Sequence, residues 1–198
     1  MNDALPATNR FQIRPAPDDL LLAQDILNTR GIAAHDMPDL LDDPISAQAW
    51  LDAVLGSPTT TLTAHDLRRL REFRAALVKA ITDPVSGTTS DGGTAAISVP
   101  ARIELDDAGQ VRIMPEATGW RSVAALTLAG IARAQQAGTW NRLKLCGNPA
   151  CLSAFYDTSK NNSGVWHDVH TCGNRMNLRA ARARKRAARD TTPEQSLG

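Results

Sequence analysis

The chain has 198 residues, 42% of them hydrophobic and 22% charged, which is the balance of a soluble globular protein and excludes a disordered or membrane-embedded chain. The formal net charge of +1 hides an uneven distribution. Residues 1–141 carry 12 Lys/Arg against 17 Asp/Glu, residues 142–189 carry 10 against 2, and the last nine add −2, so an acidic body leads into a basic end.

The N-terminal stretch MNDALPATNRFQIRP has no basic region followed by an apolar one, so a secretory signal is not expected. DDLLLAQDILNTRG (18–31) starts with two acids and places Leu22, Ile26 and Leu27 at helical spacing behind Leu20 and Leu21. It predicts a helix stopped by Gly31. A Pro- and Asp-rich connector with His35 and Asp36 follows, and residues 45–55 read as a second helix before Gly56 and Pro58. The clearest helix is TAHDLRRLREFRAALVKAIT (63–82), with Thr63 as cap, Asp66 in the first turn, and Leu67, Leu70, Phe73 or Arg74, Leu77 and Ile81 in register. Arg68, Arg71 and Lys79 make its other face a solvated one.

PVSGTTSDGGT (84–94) has the composition of a flexible connector. RIELDDAGQVRIM (102–114) sets Ile103 and Leu105 against Val111 and Ile113 across Asp-Asp-Ala-Gly, and predicts a β-hairpin with one face packed on the helices. Residues 120–137 form the last long helix of the body, closed by Gly138; its apolar run 123–132 is about half of what a bilayer span requires. The fold class expected is mainly α (α+β). A helical domain with a small β-hairpin covers 1–140, a second module made of a short hairpin and a basic helix covers 141–190, and a disordered tail covers 191–198. A cytoplasmic protein with no membrane partner is expected.

All three cysteines and two of the four histidines fall between residues 146 and 172. An odd number of clustered thiols does not make a disulfide framework and points to metal ligation. The spacing is Cys146-x4-Cys151, fifteen residues, then His167-x4-Cys172, so two equal pairs flank a hairpin-sized insert and can close a tetrahedron around Zn2+. Such a Cys3His set leaves no open position for water, so the ion is structural. His170 competes for the fourth place, but its single-residue separation from Cys172 gives an awkward bite and the spacing favours His167. Phe155, Tyr156 and Trp166 read as a miniature core. A module of about forty residues buries too little apolar surface to fold unaided, and zinc supplies the difference.

Past Cys172, Gly173 is expected to make a tight turn with positive φ, and Asn174 to cap a helix. No Gly or Pro interrupts the chain from Arg175 to Pro193. Arg175, Arg179, Arg182, Arg186 and Arg189 recur at 4, 3, 4 and 3, a continuous cationic stripe that Arg184 and Lys185 are expected to widen. Guanidinium forks match phosphate oxygens, and small alanines between them permit close approach, so DNA is the expected partner.

Taken together, C-x4-C, DTSKN (157–161), Trp166, Cys172-Gly173-Asn174-Arg175 and the Arg/Ala-rich end resemble the CGNR zinc finger. The body, with Asp25, Asn28 and Thr29 in DILNT, is similar to the ABATE domain that precedes this finger in bacterial proteins described as stress-induced transcription regulators. In that family a cysteine usually follows the tryptophan; here it is His167, and imidazole can substitute at a zinc site. The resemblance implies DNA-linked regulation. The expectation is therefore a zinc-dependent DNA-binding transcriptional regulator whose body receives a small-molecule effector or forms a homodimer. Structured RNA or a ribosomal surface is the alternative partner. His35 beside Asp36 and His65 beside Asp66 come with no nucleophile or phosphate-loop signature, so an enzyme is not expected.

Overall fold

The computed structural model describes residues 5–32, 36–56, 61–83 and 97–190, with side chains to residue 187. His35, Pro58, the 84–94 connector, the Arg189 side chain and the 191–198 tail lie outside the described residues. Those described are 52% helical, with six helices and two two-stranded sheets, which bears out the mainly α class.

Local signals mark the starts of the first four helices, and in α3 and α4 a side chain satisfies free N–H groups of the first turn. A short α1 (Pro6–Asn9) begins on proline, and α2 (Asp18–Leu27) carries Asp18 and Asp19 in its first turn. In α3 (Pro44–Leu55), Asp43 accepts from the Ser46 N–H, proline fills the first helical position and Gly56 ends the helix at φ +69°. In α4 (Ala64–Thr82) both bonds of the Thr63/Asp66 capping box form. α5 (Trp120–Gln136) closes the body.

The helices share one core in which Leu20, Ile26, Trp50, Leu70, Phe73 and Val123 are almost fully excluded from solvent. α2 and α5 approach so closely that a β-carbon at Gly130 would sit 2.1 Å from the Asp19 carbonyl oxygen. Only glycine permits that crossing.

The hairpin β1 (Ala101–Leu105) and β2 (Val111–Pro115) has the expected register, Ile103 opposite Ile113 and Leu105 opposite Val111. Its apolar face is not packed on the helices: Ile103, Leu105 and Val111 are 70%, 71% and 68% exposed. β2 lies against α5, and the half-buried Ile113 in its middle lines a cleft with Ala125 and Leu128 of that helix. Alternation fixes which residues share a face and says nothing about what covers it.

α4 also differs from its simple amphipathic reading. Arg71 reaches Asp42 at 2.8 Å, and Arg74 grips both carboxylate oxygens of Asp39 at 2.9 and 2.6 Å while donating to Thr29 Oγ1. These arginines fasten the 36–43 connector to the helix.

The second sheet, β3 (Leu143–Leu145) and β4 (Ala154–Tyr156), follows directly after α5. Leu143 and Ala154 belong to the same buried core as the helices. The finger's hairpin thus borrows its core from the body, and Phe155 and Tyr156 do not make a separate miniature one.

Candidate metal centre

The segment ending α2 reads DILNT, and its polar side chains are all fully buried. A buried polar group must find partners, and each of these finds them in a different element. Asp25 accepts from the Thr8 N–H at 2.7 Å and the Trp50 Nε1–H at 2.8 Å, joining α1 and α3. Burial pushes its carboxyl up from the ordinary value against the hydrogen bonds from Thr8, Trp50 and Ala7. Thr29 receives Arg74 from α4. Asn28 Oδ1 accepts from the Ala154 N–H at 2.7 Å and its Nδ2 donates to the Ala154 carbonyl at 3.0 Å. One side-chain amide thereby pairs with β4 as a neighbouring strand would, and Gln24 Nε2 gives the same carbonyl a second bond. α2 stops at Asn28, ahead of Gly31, where this amide turns to the hairpin.

Held this way, β3 and β4 present the turn between them. The Cys146 N–H donates to Ser153 O, the Cys151 N–H to Asn148 O and the Gly147 N–H to Val165 O, so the 146–151 turn is locked and the returning chain is laid beside it. Cys146, Cys151, His167 and Cys172 converge, their ligand atoms all within 4.8 Å of one another. The three cysteines are 0–5% exposed and pack against Ile32, Phe11, Met37 and Trp166. His170, the competing ligand, is exposed and outside the cluster.

The donor set fits zinc on several counts. Cys151 Sγ lies 3.5 Å from His167 Nδ1, close to the edge of about 3.6 Å that a tetrahedron with Zn–S and Zn–N bonds of ordinary length requires. Asn148 Nδ2 donates to Cys172 Sγ at 3.3 Å, and Ser153 Oγ lies 3.1 Å from Cys151 Sγ, where it can support a thiolate. The neighbouring Cys146 thiol, with His167 and Ser153 adding to it against burial, lowers Cys151 far below an ordinary thiol, while the same contact raises Cys146. A zinc ion held by these four residues would take all three sulfurs as thiolates. The four residues form a closed set suited to a structural zinc ion.

Asp157, the first residue of DTSKN, builds the loop that returns the chain to His167. Its buried carboxylate accepts from Lys144 Nζ at 2.7 Å, the Ser159 N–H at 2.9 Å and the Gly164 N–H at 2.6 Å. Burial opposes its ionisation, but Lys144 and these amides hold it well below the usual carboxylate range. A depressed folded-state value contributes stability above the unfolded value, near pH 4, and loses it as the pH falls further. Asp157→Asn is expected to cost about 2–3 kcal/mol at neutral pH by leaving Lys144 without its partner. Urea melts should show that deficit shrinking towards pH 3; a deficit that is constant with pH would assign it to something other than this charge.

Asp168 starts the last segment, accepting from the His170 N–H at 2.7 Å and from the Thr171 N–H. A π-turn (Val169–Gly173) follows and runs without a break into α6 (Asn174–Asp190). Cys172 lies in that π-turn, so the metal ligand and the basic helix belong to one continuous helical segment.

The ABATE family, described as "Putative stress-induced transcription regulator", matches residues 21–140, more than half of the chain. The chain belongs to the ABATE family. The CGNR zinc finger matches residues 142–185, in the order expected for the pair, and this span holds all four residues of the cluster. No curated protein matches the chain. Both families are regulator and zinc-finger types, which are not enzymes. His65 is engaged with Arg68 on the exposed side of α4, and Asp66 is taken up by the capping box with Thr63.

Within the finger, the four residues that give the CGNR family its name have separate duties. Cys172 belongs to the cluster suited to zinc, and Gly173 leaves room for the Trp166 ring, whose Cδ1 would lie 3.1 Å from an added β-carbon. Gly173 does not take the positive φ expected for it, because the chain winds into the π-turn there. For the same reason Asn174 is helical and does not cap; Asp168 does. Along α6, Arg175, Arg179, Arg182 and Arg186 fall on one side, but Arg184 lies about half a turn from Arg175 at 100° per residue and does not widen the stripe, which Lys185 flanks. Asn148, Ser153 and Asp168 went unnoticed in the sequence; an Asn or Ser two residues from a cysteine ligand is the only signal it offered.

Proposed function

We propose that this ABATE-family chain is a zinc-dependent DNA-binding transcriptional regulator in which α6 contacts DNA through Arg175, Arg179, Arg182, Lys185, Arg186 and Arg189, with Arg184 reaching phosphates from the opposite side. The observation that carries this reading is the exposure of α6. From Asn174 to Ala187 every side chain but Met176 is open to solvent, although the helix is continuous with a buried ligand. A helix so polar and so little covered is held out for a partner. Its like charges repel one another until phosphate neutralises them, and counterion release then drives association.

The zinc ion sets the direction in which the helix leaves the body, and the body supplies the homodimer or effector site that regulation requires. One helix covers little DNA, so two chains on two half-sites are expected. The reading places the protein in the cytoplasm, on the nucleoid.

Selection of bound duplexes from a random pool, followed by competition against tRNA at moderate salt, tests the choice of partner. A selected duplex should win; preferential binding of tRNA would make RNA the partner. Replacing both Arg179 and Arg182 by alanine should lower the slope of log K against log salt by about 2 if each contacts a phosphate. An unchanged slope would put both arginines off the DNA.

A further inference from the structure

Between the body and the finger lies a cleft of about 480 Å3, within the roughly 300–1,000 Å3 range of small-molecule sites. Its floor is apolar. Ile32 is buried, and Phe11 and Met37 lie half-buried beside it, all packed against the metal-binding cysteines. The rim is cationic, with Arg10 and Arg14 from the segment after α1 and Arg175 from the start of α6.

The three arginines are not equivalent. The Arg10 guanidinium is tied to the carbonyls of Asn28, Arg30 and Pro38, so its charge is fixed in place. Arg14 and Arg175 are exposed, and among the described residues neither has a carboxylate within ion-pair distance. Asp168, the acid lining the cleft, is occupied with the His170 and Thr171 amides. His167 turns Nδ1 towards Cys151 Sγ, and among the described residues no acceptor meets its Nε2. A metal-bound histidine ordinarily donates that second N–H to a carboxylate or carbonyl. The arginines outweigh Asp168 and the single negative charge of a zinc ion held by three thiolates and one imidazole, leaving one positive charge.

We infer that this cleft binds a small organic monocarboxylate, its apolar body lying over Ile32, Phe11 and Met37 and its carboxylate facing Arg14, Arg175 and the His167 Nε2–H. Arginine forks match a carboxylate, and the apolar floor discriminates against bare inorganic anions. One wall belongs to the body and the other to the turn that launches α6, so the occupant touches both. This assignment deepens the effector role proposed for the body and needs no DNA, so its failure would leave the DNA-binding reading untouched.

The test uses the full-length, zinc-loaded chain with 13C-labelled methionine methyls and three probes: benzoate, inorganic phosphate and benzyl alcohol. Benzoate at millimolar concentration should shift the Met37 methyl saturably, with one site per chain, and leave Met114 on the distant hairpin unmoved. Phosphate lacks the body and benzyl alcohol the charge; neither should saturate. Arg14→Ala, an exposed substitution, should weaken benzoate about tenfold, the loss expected for one charge-assisted hydrogen bond. A Met37 signal indifferent to benzoate, an equal response to phosphate, or unchanged affinity in Arg14→Ala would each overturn the assignment.

Discussion

Cys172→Ser is expected to leave the purified protein without stoichiometric zinc and with α6 melted, whereas His170→Ala keeps one ion per chain. The difference follows from position: Cys172 is a buried ligand in the π-turn that begins α6, and His170, two residues earlier in the same turn, is exposed outside the cluster. Binding free energy at structural zinc sites is of the order of 10–16 kcal/mol and is folding free energy for the segment that the ion closes. Here that segment is the 157–173 return and the helix beyond it. β3 and β4 should survive, because Leu143 and Ala154 sit in the helical core and Asn28 pairs with β4. Metal analysis together with circular dichroism checks this: Cys172→Ser should lose helix equivalent to the 17 residues of α6 while the body keeps its cooperative melt. Full zinc in Cys172→Ser, or loss of zinc in His170→Ala, would mean that the ligand set is wrong.

Asn28→Ala should be among the most destabilising single substitutions in the body, costing about 3 kcal/mol. The alanine removes the only buried donor–acceptor pair that answers both backbone groups of Ala154, and a buried group left unsatisfied costs about 1–3 kcal/mol. Gln24 still reaches the Ala154 carbonyl, so the orphan that matters most is the N–H. Urea unfolding gives the magnitude, and hydrogen exchange at the Ala154 amide gives the place. A loss below about 1 kcal/mol, with Ala154 still protected, would show that water or a shift of β4 replaces the side chain.

What could be read from the sequence was what local spacing encodes. The α4 capping box spans four residues, and the zinc ligands come in two i, i+5 pairs, so both were visible in the string and both form. His167 was separable from His170 on the same ground. The bond between Asn28 and Ala154 crosses 126 positions, and nothing near either residue announces it. DILNT carries the family resemblance, but its physical meaning, three buried polar side chains joining α1, α3, α4 and the finger's hairpin, emerges only from packing. Arg74 could be placed in the apolar series or outside it because its partner, Asp39, lies in an irregular connector. The exposed face of the first hairpin and the capping of the last helical segment by Asp168 were misjudged for a common reason. A pattern gives the orientation of side chains along an element, and the environment around that element is set elsewhere in the chain.

In the proposed function a single metal ion orients α6 for DNA. It is tested most directly by titrating zinc into metal-free, full-length protein and measuring affinity for a selected duplex at each step. The affinity should rise in proportion to bound zinc and level off at one ion per chain. Equal affinity of the metal-free and zinc-loaded protein would contradict it.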